Sequence, residues 1–244
     1  MNKPGKPVQI IYAGKAHPAD KPAQEVIKRI IDISRLEGFS GKIIMLENYD
    51  ISIARRLVQG VDIWMNNPRR PMEASGTSGQ KVCVNGILNF SILDGWWCEG
   101  YNGANGWSIG NDAHYNNEYA QDDADSASIY EKLEKEIIPL FFERDNNGTP
   151  VQWINKVKES IVTLTPEFST HRMLADYMNK MYLPSIDRSE KMAADEYQTP
   201  LQIIEWKKHV DSLWNEVSLK LPDNRSSMEV IEAEPGRSVK LTVN

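Results

Sequence analysis

The sequence predicts an α/β layer fold, a parallel sheet followed by a helical region, and three observations carry that expectation. Short apolar runs alternate with segments of helical period over residues 8–95, the order produced by parallel strands joined through right-handed crossovers. Beyond residue 127 helical periodicity recurs alone. The chain has 244 residues, 41% hydrophobic and 25% charged, enough to bury a core and outside the range of disordered or collagenous chains.

Val8 to Ala13 is nearly all apolar and ends at Gly14, the pattern of a strand buried on both faces. Pro22 suits a helix start, and Val26, Ile27, Ile30, Ile31 and Ile33 follow at near-helical spacing until Gly38 and Gly41. A strand over Lys42–Asn48, a helix over Ser52–Val58 and a strand over Val61–Met65 come next. A helix over Ser78–Asn85 and a strand over Leu88–Leu93 complete one open Rossmann-like sheet. Ligands of such sheets sit at the carboxyl ends of strands, here Gly14-Lys15, Glu47-Asn48-Tyr49, Asn66-Asn67 and Asp94-Gly95.

Residues 96–126 change character, first rich in Trp, Tyr, Gly and Asn, then acidic through Asp122, Asp123 and Asp125. They read as a long functional loop and a solvated connection. Helices are expected over Ile129–Phe142, Trp153–Leu164 and Phe168–Tyr182, with one more opening at Thr199-Pro200 and running to about Leu219, Leu201, Ile204, Leu213 and Val217 facing inward. In the tail Val239, Leu241 and Val243 alternate as in a strand. The expected division is therefore 1–126, a partial sheet domain with its Trp/Gly-rich loop; 127–220, a helical region; and 221–244, a tail with an incomplete β element.

The formal charge of −6 gives no general attraction to nucleic acid or anionic lipid. No apolar run approaches the roughly 18–20 residues of a membrane span. Two cysteines, Cys83 and Cys98, offer no disulfide framework, and a reducing cytoplasm is expected. His17, His114, His171 and His209 lack metal-ligand spacing, so no metal is expected.

The chemistry concentrates in residues 71–86, PMEASGTSGQKVCVNG. Ser75-Gly76-Thr77-Ser78-Gly79 opens onto a helix, where backbone N–H groups can cradle a phosphate; Thr77 and Gln80 equally spell a capping box, and both readings can hold. Glu73, Thr77 and Lys81 recur every four residues and face roughly one way on a helix or helix-like turn. Beside Val82, Cys83 and Val84, a buried amine of lowered pKa suited to a carbonyl linkage is chemically reasonable for Lys81, while a lone Lys taken without that context reads as a solvated surface residue. The segment is not a P-loop, because no Ser or Thr follows the Lys. Asp145 to Gly148 imitates the start of a calcium loop without its distal Glu and reads as a turn. Arg69 and Arg70 read as a solvated or salt-bridged corner.

Several runs together resemble the α-glucan (glycogen, starch or maltodextrin) phosphorylases, specifically their bacterial and archaeal branch. They are Gly14–Asp20 (GKAHPAD), Leu46–Asp50 (LENYD), Asn66–Pro71 (NNPRRP), Glu73–Gly79 (EASGTSG) with Lys81, Asn85-Gly86, Asp94–Trp97 (DGWW) and Glu99–Tyr101 (EGY), in the family's order within a match from about Val8 to Leu219. The resemblance implies part of the C-terminal domain of a GT-B two-domain glycosyltransferase. Its activity would be pyridoxal 5′-phosphate (PLP)-dependent phosphorolysis of α-1,4-glucans by inorganic phosphate to glucose 1-phosphate. By the same resemblance Lys81 is the PLP lysine, Thr77 and Ser78 cradle the PLP phosphate, and Tyr49 lies beside the ring. Glu73, Ser75 and Gly76 contact the transferred glucose, so Glu73 and Lys81 are the catalytic candidates. Gln80 departs from the Met common before the lysine. The family is several times longer, so a missing N-terminal domain is the implied partner and the isolated chain is expected to be inactive. Exposed sheet edges would favour a homo-oligomer.

Two other functions compete. A retaining nucleotide-sugar glycosyltransferase, resembling glycogen or starch synthases, would have Glu where Lys81 stands. A non-catalytic carbohydrate-binding module would use Trp96, Trp97, Tyr101 and Trp107 as stacking platforms, unless these rings form a packed lid.

Overall fold

In a computed structural model, which describes residues 5–111, 113, 115 and 117–216, the strand–helix alternation forms two parallel sheets. β1 (Ile10–Ala13) pairs with β2 (Ile43–Leu46), joined by helix α1 (Lys21–Ser34). Asp20 caps α1 by accepting from the Ala23 N–H at 3.0 Å, with a proline in the first turn. Helix α2 (Ile51–Gly60) is capped by Asp50, whose Oδ1 accepts from the Ile53 and Ser52 N–H groups. Those bonds, the Ile53 one foremost, hold the Asp50 carboxyl below its usual pKa. The second sheet has the order β3 (Ile63–Asn66), β4 (Leu88–Ile92), β5 (Gly106–Ile109), with helix α3 (Ser78–Cys83) between β3 and β4 and helix α4 (Trp97–Gly100) between β4 and β5.

The single sheet expected over residues 8–95 is thus divided. β1 spends its ladder on β2 and β3 on β4, and no ladder joins the two pairs among the described residues. β1 is correspondingly half-covered, with Ile11 40% exposed, instead of buried on both faces. Among the described strands only β4 is buried along its whole length. Leu88, Phe90 and Ile92 join Trp107, Ile109 and Ile137 in one apolar cluster. Asn89 and Ser91 alternate with them and point to the opposite face of the strand. A second cluster is built from Val82, Cys83, Ile87, Trp96, Trp97 and Leu164.

Residues 96–126 are not a long loop. Trp96, Trp97 and Trp107 are core residues, neither lid nor sugar platform. The Trp97 ring lies 5.0 Å from Trp96 and 5.3 Å from Tyr101, and its Nε1 donates to the Trp107 carbonyl at 3.2 Å. The glycines that suggested mobility make this packing possible: a Cβ on Gly100 would stand 2.9 Å from Trp96, and one on Gly106 2.8 Å from Trp97. The acidic stretch forms helix α5 (Glu118–Lys132), started by Asn117, which accepts from the Ala120 N–H. Its acidic side chains are used: Arg69 bonds Asp122 and Glu118, and Asp125 abuts Gly110, where a Cβ would come within 2.4 Å of Oδ1.

A wide π turn, Leu133–Ile137, leads into α6 (Ile138–Phe142), and another, Met178–Tyr182, joins α8 (Thr170–Tyr177) to α9 (Leu183–Leu213). Each stands just before a proline, Pro139 or Pro184, whose missing N–H relaxes the i to i−4 ladder. Helix α7 (Val151–Leu164) follows the Asp145 turn, where Oδ1 accepts from the Asn147 and Thr149 N–H groups. The described residues form two units, divided between Met173 and Leu174. In the second, α9 breaks at Ala194–Tyr197, with left-handed φ at Asp195, Glu196 and Tyr197, and resumes at the expected Thr199-Pro200 opening. Leu201, Ile204 and Leu213 are exposed there instead of inward, because no described residue covers that face. Val217, His114 and the expected tail strand lie outside the described residues.

Trp97 joins the cluster beneath α3 to the β5 backbone, so Trp97→Ala should lower stability by about 3–5 kcal/mol in urea denaturation. Trp206→Ala, at a side chain 62% exposed, should stay within about 0.5 kcal/mol of the parent.

Candidate functional site

Helix α3 has only six residues, and its rotation decides what the site contains. Gly79, Val82 and Cys83 turn inward, and at 3.6 residues per turn this sends Ser78, Lys81, Val84 and Asn85 to the opposite side. There they meet Tyr49, Trp64 and the Ile51, Ala54, Arg55, Val58 face of α2 across a cleft of about 340 Å³. Gly79 has no alternative, since a Cβ would lie 2.8 Å from the Trp96 ring and 2.9 Å from Asn89 Oδ1. The Asn85 Nδ2 donates to the Lys81 carbonyl at 2.8 Å and closes the helix end. Burial pushes the Cys83 thiol up to about 11, which keeps it an uncharged core residue.

The cleft has two cations, Lys81 and Arg55, and no carboxylate among its lining residues. Its polar groups are few: the Tyr49 phenol, the Ser78 hydroxyl and the Asn85 amide on otherwise apolar walls. Ser78 Oγ accepts from Trp64 Nε1 at 3.2 Å, which leaves its own O–H to donate. Such a cleft suits a small, flat, anionic guest held covalently or by charge at Lys81. PLP satisfies that description: an aldehyde for the amine, a ring for the apolar walls and a phosphate for the cations and hydroxyls.

Beside the cleft, residues 73–76 form a loop pressed on the turn after β4. The Glu73 N–H donates to Asp94 Oδ2 at 2.9 Å, and the Trp96 N–H donates to the Ser75 carbonyl at 2.9 Å. Gly76 has φ +77°, a left-handed conformation suited to glycine, and a Cβ there would sit 3.2 Å from Glu73 Oε1. The Glu73 carboxylate therefore folds over the small-residue run.

Of the sequence-designated residues, Tyr49, Ser78 and Lys81 share the cleft. Glu73, Ser75 and Gly76 share the adjoining loop, and Thr77 connects the two. Lys81 is exposed instead of buried, because Val82 and Cys83 occupy the inward positions. Thr77 has helical φ/ψ and makes no side-chain capping bond, so the capping box does not form; a cap needs extended backbone there. Sequence reasoning passed over Arg55, Trp64 and Asn85. The signal for Arg55 was present: Ile51, Ala54, Arg55 and Val58 follow the i, i+3, i+4, i+7 rule from the strand end at Tyr49.

Other candidates resolve structurally. His17 Nδ1 accepts from the Ala19 N–H at 3.1 Å, a loop-forming use. Arg69 is the ion-paired corner described above, and Arg70 donates to the Asn111 carbonyl at 3.2 Å. Among the described residues no group of three His, Cys, Asp or Glu is placed to hold a metal, and no helix is long and apolar enough to cross a membrane.

The sequence profile of the family described as carbohydrate phosphorylase matches residues 2–197. The chain belongs to the carbohydrate phosphorylase family. It is 41% identical over 233 residues to the maltodextrin phosphorylase of Thermococcus litoralis, covering 95% of this chain and 27% of that relative. To the glycogen phosphorylase of Aquifex aeolicus it is 51% identical over 182 residues, 75% of this chain and 26% of the relative. The glycogen phosphorylase of Mycobacterium bovis is 36% identical over 214 residues, 88% of this chain and 25% of the relative. The chain thus spans about a quarter of the length of these curated relatives.

The fit of α3 over β4 gives a test that needs no ligand. Gly79→Ala should cost about 1–3 kcal/mol through overpacking against Trp96 and Asn89. Gly60→Ala, where a Cβ meets nothing within 4 Å, should be neutral or stabilising in the same denaturation experiment.

Proposed function

We propose that this chain is the cofactor-carrying wall of an α-1,4-glucan phosphorylase, transferring a terminal glucose from glucan to inorganic phosphate. The observation that carries the reading is the cleft beside α3, where Lys81, Arg55, Ser78 and Tyr49 converge with no carboxylate in the lining. Membership of the carbohydrate phosphorylase family and a cleft whose lining fits PLP support this reading over a nucleotide-dependent glycosyltransferase. The GT-B architecture, with a further domain as the opposite wall, and a cytoplasmic setting are part of the same proposal.

In this reading Lys81 Nζ would hold the aldehyde end of PLP, the Tyr49 and Val58 side of the cleft would take its ring, and Ser78, Thr77 and Arg55 would serve its phosphate. When bound, PLP supplies a phosphate that works beside the substrate phosphate in proton transfer. Glu73 and the Ser75–Gly76 backbone receive the glucose ring, the carboxylate accepting hydrogen bonds from sugar hydroxyls that strengthen in the transition state. The C1–O4 bond breaks, an oxygen of inorganic phosphate bonds to C1 with retained configuration, and the departing glucan O4 takes up the proton which that phosphate gives up. Val58 and Trp64 give the cofactor side an apolar wall.

Release of glucose 1-phosphate from maltodextrin and phosphate tests the proposal. The complete PLP-loaded protein should turn over, and Glu73→Gln should lower kcat/KM by about 10²-fold while PLP stays bound. The 244-residue chain alone should show no turnover with added PLP, because proximity of glucose and two phosphates in a closed cleft is worth about 7–11 kcal/mol and needs both walls. Turnover by the isolated chain that disappears in Lys81→Ala would contradict the two-wall proposal. A complete protein active without PLP, or unaffected by Glu73→Gln, would contradict the site assignment.

A further inference from the structure

We propose that Asp94 is a positioning residue, whose carboxylate fixes the backbone of Glu73 and thereby aims the Glu73 side chain at glucose. The inference rests on the glucose-contact role given to Glu73 above. Asp94 stands at the carboxyl end of β4, 21 residues from Glu73 in sequence. Its two oxygens are divided between two backbone donors: Oδ2 accepts from the Glu73 N–H at 2.9 Å and Oδ1 from the Gly95 N–H at 2.9 Å. A carboxylate is suited to this task, being an acceptor at both oxygens, whereas an Asn side chain accepts at one only.

The neighbouring contacts leave the loop little room to move by itself. The Trp96 N–H donates to the Ser75 carbonyl at 2.9 Å. A Cβ on Gly95 would lie 2.5 Å from that same carbonyl oxygen, so backbone meets backbone directly. Trp96 is buried beneath α3, which anchors the turn from the other side. The Asp94–Trp96 turn therefore clasps residues 73–75 at two points, and of the two only the Asp94 bond depends on a side chain. Asp94 does not line the cofactor cleft, so its loss should spare PLP while loosening Glu73.

The test is a double-mutant cycle in the complete holoenzyme, with kcat and KM for glucose 1-phosphate measured in the synthesis direction and PLP content measured alongside. Asp94→Ala should lower kcat/KM at least about tenfold, the scale of one hydrogen bond to a charged group, at unchanged PLP content. Asp94→Asn should fall between Asp94→Ala and the parent. The double variant E73Q/D94A should be no slower than E73Q, because residues acting through one contact are not additive. Losses that multiply in the double variant, or a D94A protein with parental kcat/KM, would overturn the proposal while leaving the Glu73 reading in place. An E73Q protein with parental kcat/KM would instead overturn the glucose-contact reading, and the Asp94 role with it. Should D94A fail to fold, the E73Q/D94N cycle decides by the same criteria.

Discussion

The site depends on how α3 is seated. Val82 and Cys83 enter the cluster formed by Ile87, Trp96, Trp97 and Leu164, and Gly79 lies so close to Trp96 and Asn89 that no side chain fits. A helix of six residues has too few hydrogen bonds to stand alone, so this apolar seat, not helix propensity, defines its rotation. Once it is set, Ser78 and Lys81 have one direction available, and that direction is the cleft shared with α2. Burial at one face of a short helix thus determines chemistry at the other.

The same tryptophan pair serves two structures at once. Trp96 packs under α3 and, through its backbone N–H, holds the Ser75 carbonyl. Trp97 reaches β5 through its indole N–H. The 73–76 loop and helix α3 are therefore anchored on a common core turn, which holds the two in one geometry. Glycines at 79, 95, 100 and 106 act as spacers for this turn, and their value lies in the volume they leave for indole rings and backbone.

Much of this was legible in the sequence, for physical reasons that also mark where legibility ended. Short apolar runs located β1 to β4, and period-3.6 patterns located most helices, while β5 lay hidden in the segment read as loop. The grouping of strands was not legible, because apolar runs such as Val8–Ala13 look alike whether one edge or both are paired. The Trp/Gly-rich segment misled, because composition cannot distinguish a glycine that frees the backbone from one that admits a ring. The acidic helix α5 was missed because its carboxylates, read as solvated, are partly used by Arg69 and at Gly110. Lys81 is exposed and not buried beside its apolar neighbours, because Val82 and Cys83 lie on another face of the helix. Arg55 became visible only when the periodicity of α2 was combined with the strand end at Tyr49.

The proposed function requires that the seating of α3 makes Lys81 the lysine that carries PLP. Borohydride reduction of the PLP-saturated protein, followed by proteolysis and peptide mass measurement, tests it most directly. A pyridoxyl group on the peptide containing Lys81 is the predicted result; a pyridoxyl group on another lysine, or on none, would contradict it.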